Sequence, residues 1–292
     1  MKTSTTIKKT LTGLKYAVVN SENISEIPKL LDDDESIRGL SISKQYGYGD
    51  SNLSVLQDIR SIEWLAIVDE YGDLSDISNV YDLINLEHLQ FSSPRDIDIT
   101  RFNSLIEFRG RWPKDPAVLN DCTILKKLYL SKGSKKNIAE EFSLLELESL
   151  ELIQCQLESL QGLQYQLKLE SLEIGYCAKL SNISQLKALR NLKRVFFSRC
   201  KRVVDFSSLE NTINLAQLSI AHCGSIQDLI FLEKLKELEI LTFFGTQVTS
   251  NNLSPIEACT QIKELGFNNK KSYNKTLEEL RCNFGISDKI KY

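Results

Sequence analysis

The chain has 292 residues, of which 42% are hydrophobic and 26% are charged, with a net charge of −3 and a pI near 5.7. This balance lacks the basic excess that is typical of nucleic-acid-binding domains, so we expect no nucleic-acid partner. No apolar run reaches the roughly 18 residues that a membrane span needs, and we therefore expect no membrane partner either.

The first thirteen residues are polar and include several lysines. They lack the apolar core of about 7–15 residues that defines a signal peptide, so we expect a cytoplasmic protein. A stacked repeat protein exposes an apolar edge unless its ends are covered. We predict that residues 1–13 form an N-terminal cap over the first repeat.

A leucine-patterned phrase recurs along the chain from residue 14 onward. Its form is apolar-x-x-apolar-x-apolar, as in LEHLQF, LKKLYL and LESLEI. The steps between first apolar positions run from 19 to 25 residues. These positions are Leu14, Ile37, Ile62, Leu86, Leu105, Leu125, Leu147, Leu169, Leu192, Leu215, Leu238 and Ile262. A period of this length indicates one structural unit stacked on copies of itself.

Each repeat has two differently patterned halves. The alternation inside the phrase favours a short strand with one buried face. The second half places apolar residues at every third position, as at Leu180, Ile183 and Leu186, which is typical of 3-10 turns. Because a repeat contacts only its neighbours, we predict a single domain over residues 1–292, with about twelve repeats within residues 14–269.

Four successive phrases end in cysteine, at Cys155, Cys177, Cys200 and Cys223. Neighbouring strands lie about 4.8 Å apart, which is within disulfide range, but equivalent side chains on them point in parallel directions. We therefore interpret this cysteine ladder as a set of structural thiols in a reducing compartment. Metal binding or redox sensing is the alternative.

These repeats resemble those of leucine-rich repeat proteins. The segment LRNLKRVFFSRCKRVVDFSSL is nearly the LxxLxxLxLxxNxIxDIxxLxxL pattern of internalins and of the leucine-rich repeat regulatory subunit of protein phosphatase. The resemblance covers residues 14–269 and implies an α/β solenoid. That fold is a curved repeat with a parallel β-sheet on its concave face and short 3-10 or irregular helical turns on its convex face.

The chain departs from the family at one position of the repeat. The family uses asparagine there to satisfy backbone groups in the turn, where this chain has cysteine, or Pro94, Pro113 and Gly133 in the middle repeats. Cysteine is a weak hydrogen-bond donor, so the backbone must turn differently or use water. If the protein has a dedicated binding surface, we expect it where the ladder stops.

The third, fifth, seventh and eighth residues of each phrase should face the concave side or its rim. Tryptophan, tyrosine and arginine among them are typical of binding hot spots. The predicted partner-binding residues are Trp64, His88, Arg109, Arg111, Trp112, Lys127, Tyr129, Glu151, Glu173, Tyr176, Arg194, Phe196 and Arg199. The alternatives are that these side chains are merely solvated, and that Trp112 packs under the segment RWPKDPAVLND.

The sequence shows no recognisable catalytic, metal or cofactor motif, and its two histidines lie many repeats apart. We expect a monomeric, bacterial, non-enzymatic protein that binds another protein, as an immunity or inhibitor protein. The alternative is a regulatory or targeting subunit of an enzyme such as a phosphatase. Residues 270–292, with an amphipathic turn at 276–282, are the predicted C-terminal cap.

Overall fold

The computed structural model describes residues 5–57, 59, 61–138 and 144–286. They form two compact units, divided between Tyr129 and Leu130. The prediction of a single domain concerns how these units are joined, and it stays a prediction. The ends of the predicted caps, residues 1–4 and 287–292, lie outside the described residues.

The first unit is built on strands that follow one another in chain order. They are β1 (Ile7–Lys9), β2 (Lys15–Val19), β3 (Ile37–Ser43), β4 (Trp64–Val68), β5 (His88–Ser92), β6 (Glu107–Arg111) and the first three residues of β7 (Lys127–Ser131), whose last two residues belong to the second unit. β1 pairs antiparallel with β2, and each strand from β2 to β5 pairs parallel with the next. Each strand after β1 begins at the first apolar position of a phrase or one to two residues after it, which confirms the predicted register.

The second unit continues the same pattern. Its strands are β8 (Ser149–Ile153), β9 (Ser171–Gly175), β10 (Arg194–Ser198), β11 (Gln217–Ala221), β12 (Ile240–Thr242) and β13 (Glu264–Gly266). Each pairs parallel with the next one along the chain. The predicted parallel sheet is therefore confirmed within each unit.

Short 3-10 helices connect the strands, as the three-residue apolar spacing predicts. In the first unit they are Ile24–Glu26, Lys44–Tyr46, Ser54–Leu56, Ser78–Asp82, Ile99–Arg101 and Pro116–Asp121. In the second they are Leu163–Tyr165, Ser184–Ala188, Ser207–Asn211, Ile230–Lys234 and Ser254–Ala258. Only two α-helices occur among the described residues, α1 (Ile27–Asp33) and α2 (Leu277–Asn283).

An aspartate or asparagine begins most of these 3-10 helices. Asp205 Oδ1 accepts a hydrogen bond from the Ser207 amide at 2.8 Å, and Asp228 Oδ1 does the same for Ile230 at 3.0 Å. Such a side chain closes a local turn on its own backbone, two residues onward. The DxxxL spacing of the repeat thus fixes where each strand connection tightens.

The leucines of the phrases form the interior of each unit. Leu172, Val195, Leu218 and Leu241, at equivalent positions of successive strands, are fully or almost fully buried. Burying such a side chain contributes about 1.5–3 kcal/mol relative to leaving it exposed. The stacked apolar rows are therefore the main stabilising feature of both units.

The backbone turns differently before each cysteine of the ladder. The preceding residues Gln154, Tyr176, Arg199 and His222 adopt left-handed conformations with φ between 54° and 57°. Non-glycine residues rarely do so, and here each amide donates to a carbonyl one repeat further on, as Tyr176 does to Ser198 at 2.8 Å. This left-handed turn occurs in the four repeats that carry cysteine at the position of the family asparagine.

The ladder thiols are buried against strand-end carbonyls. Cys177 Sγ lies 3.4 Å from the carbonyl oxygen of Gly175 and 3.7 Å from that of Leu152. In the repeat after Cys223, Thr246 occupies the equivalent position. Its Oγ1 accepts a hydrogen bond from the Cys223 amide at 3.0 Å and donates one to the Ile220 carbonyl at 2.8 Å. Threonine thus makes both kinds of bond, whereas cysteine provides a weak donor only.

Each end of the described chain carries a non-repeat element. β1 covers one edge of β2 as the outer strand of a hairpin. α2 begins with a capping box, in which Thr276 and Glu279 exchange hydrogen bonds between side chain and amide. Arg281 of this helix donates twice to the carbonyl oxygen of Leu265 in β13, at 2.8 and 3.0 Å. The amphipathic turn expected at 276–282 is a helix.

Candidate functional site

The open face of the sheet, defined here as the face that carries the third, fifth and seventh residues of each phrase, is lined by polar and aromatic side chains. In β5, β6 and β7 buried and half-buried residues alternate strictly. His88, Arg109 and Tyr129 are among the half-buried ones, while Leu89 is buried. The predicted orientation of the strands is confirmed.

The register places open-face residues in rows across the first unit. One row runs through Tyr16, Gly39, Trp64, His88 and Glu107. The next runs through Val18, Ser41, Ala66, Gln90 and Arg109. Ser41 and Ala66, in the middle of the second row, are small. They therefore leave space above the sheet beside the larger residues of the first row.

An aromatic pair lies at the β2–β4 end of the first row. The rings of Tyr16 and Trp64 lie 4.6 Å apart, although β3 separates their strands. Gly39 lies between them, and a Cβ atom there would be 3.0 Å from Tyr16 Cβ and 3.1 Å from Trp64 Cε3. The absence of a side chain at this position therefore lets the two rings meet.

A charged cluster continues the same row. His88 Nδ1 lies 3.2 Å from Glu107 Oε2, and Lys127 Nζ lies 3.6 Å from the same oxygen. Burial raises the pKa of Glu107, but the His88 hydrogen bond and the charges of Lys127, His88 and Arg109 outweigh it, so the net pKa is lowered. Glu107 is therefore an ionised carboxylate among cationic groups.

Arg109 and Tyr129 form the next contact on this face. The Arg109 guanidinium carbon lies 3.9 Å from the centroid of the Tyr129 ring. A cation over an aromatic face contributes about 0.5–1 kcal/mol at exposed sites and holds the planar guanidinium in place. Arg111, at the end of β6, is half-buried.

These residues line a groove of about 430 Å³ above the sheet of the first unit. Its other wall is the tip of the β1–β2 hairpin, residues 9–12 together with Leu14. The groove residues are Lys9, Thr10, Leu11, Thr12, Leu14, Tyr16, Trp64, His88, Glu107, Arg109, Lys127 and Tyr129. Five of the predicted partner-binding residues are thus brought together: Trp64, His88, Arg109, Lys127 and Tyr129.

Trp112 does not belong to this surface. It is 8% exposed, and its Nε1 has no hydrogen-bond partner among the described residues. The segment that follows is a 3-10 helix begun by Asp115, whose side chain accepts from the Ala117 amide. Burial of Trp112 fits the packing alternative, so its proposed contact with a partner is not retained.

The predicted residues of the second unit lie on two parts of its surface. Glu151 and Glu173 are neighbours across β8 and β9, and Phe196 follows on β10 beside Glu173. Arg194, exposed, lies in the adjacent row between Ser171 and Gln217. These four side chains therefore face the open side of the sheet.

Tyr176 and Arg199 lie on the rim instead, because each precedes a ladder cysteine in the left-handed conformation. The Arg199 guanidinium carbon lies 5.4 Å from the centroid of the Tyr176 ring. Tyr176 is 52% exposed, which makes it one of the larger exposed aromatics of the second unit. The eighth position is thus a rim position in these repeats.

The ladder thiols interact with one another along the stack. The neighbouring thiols of Cys155 and Cys200, followed by burial, raise the pKa of Cys177, whereas the Cys177 thiol lowers the pKa of Cys155 and of Cys200. No group of three or more histidine, cysteine, aspartate or glutamate residues in the described part of the chain is arranged to hold a metal ion. The arrangement of the open face supports recognition of a surface.

Three parts of the groove are absent from the predicted partner-binding residues. Glu107 occupies the third position of its phrase, the same as His88 and Lys127, and that equivalence could have identified it. Tyr16 was assigned to the face but not to the site. The hairpin tip was assigned to the cap, and no sequence signal shows that residues 9–12 fold back over the sheet.

Comparison with known proteins shows similarity at the level of the fold. No protein-family model matches the sequence, and no curated protein matches it. Among solved structures, an internalin (inlF) from Listeria monocytogenes is 20% identical, with a TM-score of 0.61 over 82% of this chain and 70% of the other. A TDR receptor is 18% identical, with a TM-score of 0.58 over 86% of this chain and 46% of the receptor chain.

The strand-and-turn repeats and these similarities define a leucine-rich repeat fold. Within that class the chain resembles the internalins in structure. The likeness to the phosphatase regulatory subunit stays a prediction. Among the described residues, no helix has both the length and the apolar character needed to cross a bilayer.

Proposed function

We propose that this protein is a non-catalytic scaffold that binds a partner protein on the open face of its sheet, and that it acts as an inhibitor or immunity protein by occluding a toxin or enzyme. The observation that carries the proposal is the group of aromatic and charged side chains at Trp64, His88, Arg109, Lys127 and Tyr129. They lie on successive strands of one unit and line one groove.

This surface is preorganised for recognition. Its side chains project from hydrogen-bonded strands, and several are fixed by neighbours, such as Arg109 by Tyr129 and Trp64 by Tyr16. Ordering a flexible side chain on binding costs about 0.5–1.5 kcal/mol. Groups that are already held lose less, so more of their contact energy contributes to affinity.

The charge distribution favours a specific partner. The open face of the first unit carries Arg109, Arg111 and Lys127, whereas that of the second carries Glu151 and Glu173 and then Arg194. Complementary charges on a partner speed association and reject unsuitable partners. A protein surface supplies such complementarity more readily than a small molecule.

The test is affinity purification from the native host with the wild-type protein and with the double variant Arg109→Glu, Arg194→Glu. We expect the wild type to capture one stoichiometric protein whose activity is lost on binding. The double variant should lose that partner while its circular dichroism spectrum is unchanged. A second double variant, Lys29→Glu with Lys187→Glu, exchanges charges on α1 and on a connecting 3-10 helix and should behave as the wild type.

Three outcomes would change the proposal. Capture of a phosphatase that remains active would support the regulatory alternative. Retention of the partner by the Arg109→Glu, Arg194→Glu variant would move the binding surface off the open face. Turnover of a small molecule, with no protein captured, would overturn the scaffold itself.

A further inference from the structure

The hairpin tip that forms one wall of the groove is a built structure. The Thr10 amide donates to the Leu14 carbonyl at 2.9 Å, and the Gly13 amide donates to the Thr10 carbonyl at 3.0 Å. Thr10 Oγ1 also accepts from the Leu14 amide at 3.1 Å. Gly13 has φ of +89°, a conformation that favours glycine. These bonds hold the wall in place relative to the strand pair that carries it.

The groove has a positive balance in a chain that is negative as a whole. Lys9, Arg109 and Lys127 line it, against the single carboxylate of Glu107, while the net charge of the protein is −3. Glu107 is ionised and already bound to His88 and Lys127. A ligand that brings its own carboxylate therefore meets a local excess of cations, which favours an acidic group.

The groove also has an apolar end. Tyr16 and Trp64 form its floor there, and both are half-buried. Leu11, at the hairpin tip, is a fully exposed leucine on the same groove. An apolar side chain placed between this leucine and the aromatic pair would remove apolar surface from water on both sides, which contributes roughly 25 cal/mol per Å² of area buried.

The size of the groove limits its occupant. A volume of about 430 Å³ falls within the ~300–1,000 Å³ range of pockets that hold compact ligands. It accommodates a few residues of an extended chain, whereas a folded surface would touch only its rim. The volume of the groove and its two chemical ends favour a short segment with two kinds of side chain.

We propose that the groove between the hairpin tip and the open face binds an acidic segment of the partner protein. One carboxylate of the segment pairs with Lys127 and Arg109, and an adjacent apolar side chain packs against Tyr16, Trp64 and Leu11. This inference rests on the proposed function and adds the chemistry of the partner at one place on the surface.

The probe is a short random-peptide library, displayed on phage and selected on the intact protein. We expect enrichment of peptides that carry aspartate or glutamate beside leucine or an aromatic residue. The enriched peptide is then synthesised and titrated, with Trp64 fluorescence as the signal. Trp112→Phe makes Trp64 the sole tryptophan, and because Trp112 Nε1 has no hydrogen-bond partner in the described residues, the substitution loses no such bond.

Charge reversal in the groove gives the decisive comparison. Lys127→Glu should weaken the peptide at least tenfold, which corresponds to about 1.4 kcal/mol. Lys29→Glu, an equal charge change on α1, should leave the affinity as in the wild type. A peptide in which the acidic residue is replaced by its amide should bind the wild-type protein as weakly as the acidic peptide binds Lys127→Glu. The same replacement should change the affinity for Lys127→Glu little further.

The outcomes separate this inference from the proposed function. Enrichment without acidic residues, or equal affinity of Lys127→Glu and wild type, would overturn the groove assignment, and capture of the native partner would then still support the scaffold. Free N-acetyl-aspartate that binds as tightly as the peptide would also overturn it, in favour of a small-molecule site. If neither peptide nor protein binds, both proposals fail.

Discussion

Glu107 is the residue on which several contacts of the groove converge. His88 and Lys127 both approach the same carboxylate oxygen, and the carboxylate is partly buried. Groups of this kind are costly to leave unpaired, because a buried charge without partners loses its hydration without compensation. We therefore expect Glu107 to position His88 and Lys127 in addition to contributing charge.

The lowered pKa of Glu107 has a consequence for stability. A carboxyl group with a pKa below its ordinary value of 4.5 stabilises the fold fully above that pH, and the stabilisation is lost as the pH falls through the lowered folded-state pKa. Glu107→Gln should reduce the free energy of unfolding by about 1 kcal/mol near neutral pH. The difference from the wild type should vanish in acid. Urea unfolding measured across a pH series tests this.

A matched control distinguishes the pairing from simple loss of charge. Glu233 lies in the 3-10 helix Ile230–Lys234, is exposed, and is not part of the groove. Glu233→Gln should change the free energy of unfolding little at any pH. If both variants had the same pH profile, the contacts of Glu107 would not be the source of its effect.

At the scale of the element, the strand connections depend on left-handed residues. Gly245 continues the series of Gln154, Tyr176, Arg199 and His222 into the next repeat, with φ of +67°. Here the neighbouring side chain also matters, since an added Cβ atom would lie 2.2 Å from His222 Nδ1. The glycine is thus required both by its backbone conformation and by the His222 ring.

Gly245→Ala should therefore destabilise the protein by about 1–2 kcal/mol, from the left-handed conformation and the displaced ring together. In the double variant Gly245→Ala, His222→Ala the ring contribution is absent, so the sum of the single effects should exceed the measured total. Arg199→Gly is the control, because it has the same backbone conformation and should change stability by less than about 0.5 kcal/mol. Thermal unfolding of these variants and of His222→Ala, monitored by circular dichroism, gives all four values. Strict additivity of the double variant would contradict the contact.

The elements themselves were largely predictable from the sequence. Leucine at fixed spacing decides which strand residues are buried, as at Leu172 and Leu218, so register and orientation follow from the pattern. The left-handed residues were not predictable, because Gln, Tyr and Arg carry no preference for that conformation, and His alone among the four is enriched in it. It arises from hydrogen bonds between repeats, such as that from Arg199 to the Ala221 carbonyl.

The candidate site was predictable only in part, for a similar reason. The positions of the side chains on the strands follow from the repeat pattern, which places Arg109 and Tyr129 on adjacent repeats and on the same face of the sheet. The Tyr16–Trp64 contact depends on a glycine in the strand between them, and the groove depends on a hairpin that folds back. Both are relations between residues distant in sequence, and a one-dimensional pattern does not contain them. Trp112, conversely, has a residue type that is typical of binding sites, but its position is buried.

For the molecule as a whole, the cysteines provide a test that covers both units. Cys282 is exposed, Cys223 is half-buried and the other five are buried. Burial raises the pKa of Cys122 and of Cys259 to about 11, so these thiols are almost fully protonated at neutral pH. We expect one thiol of the native protein to react rapidly with Ellman's reagent, and all seven to react in denaturant.

The Cys282→Ser variant supplies the control for that measurement. This substitution should abolish the rapid reaction and leave the slower reaction of the other six thiols unchanged. Rapid modification of Cys177 or Cys200 in the native protein, identified by mass spectrometry, would instead indicate an accessible ladder and revive the redox or metal interpretation of these thiols.

The central claim is that a partner protein lies on the open face of the sheet in the first unit. The most direct test is site-specific photo-cross-linking to the purified partner from two positions of that unit. One is Gln90, on the open face beside Arg109, and the other is Asn79, in the connecting 3-10 helix Ser78–Asp82. The account predicts a cross-link from Gln90 and none from Asn79; a cross-link from Asn79 alone would contradict it.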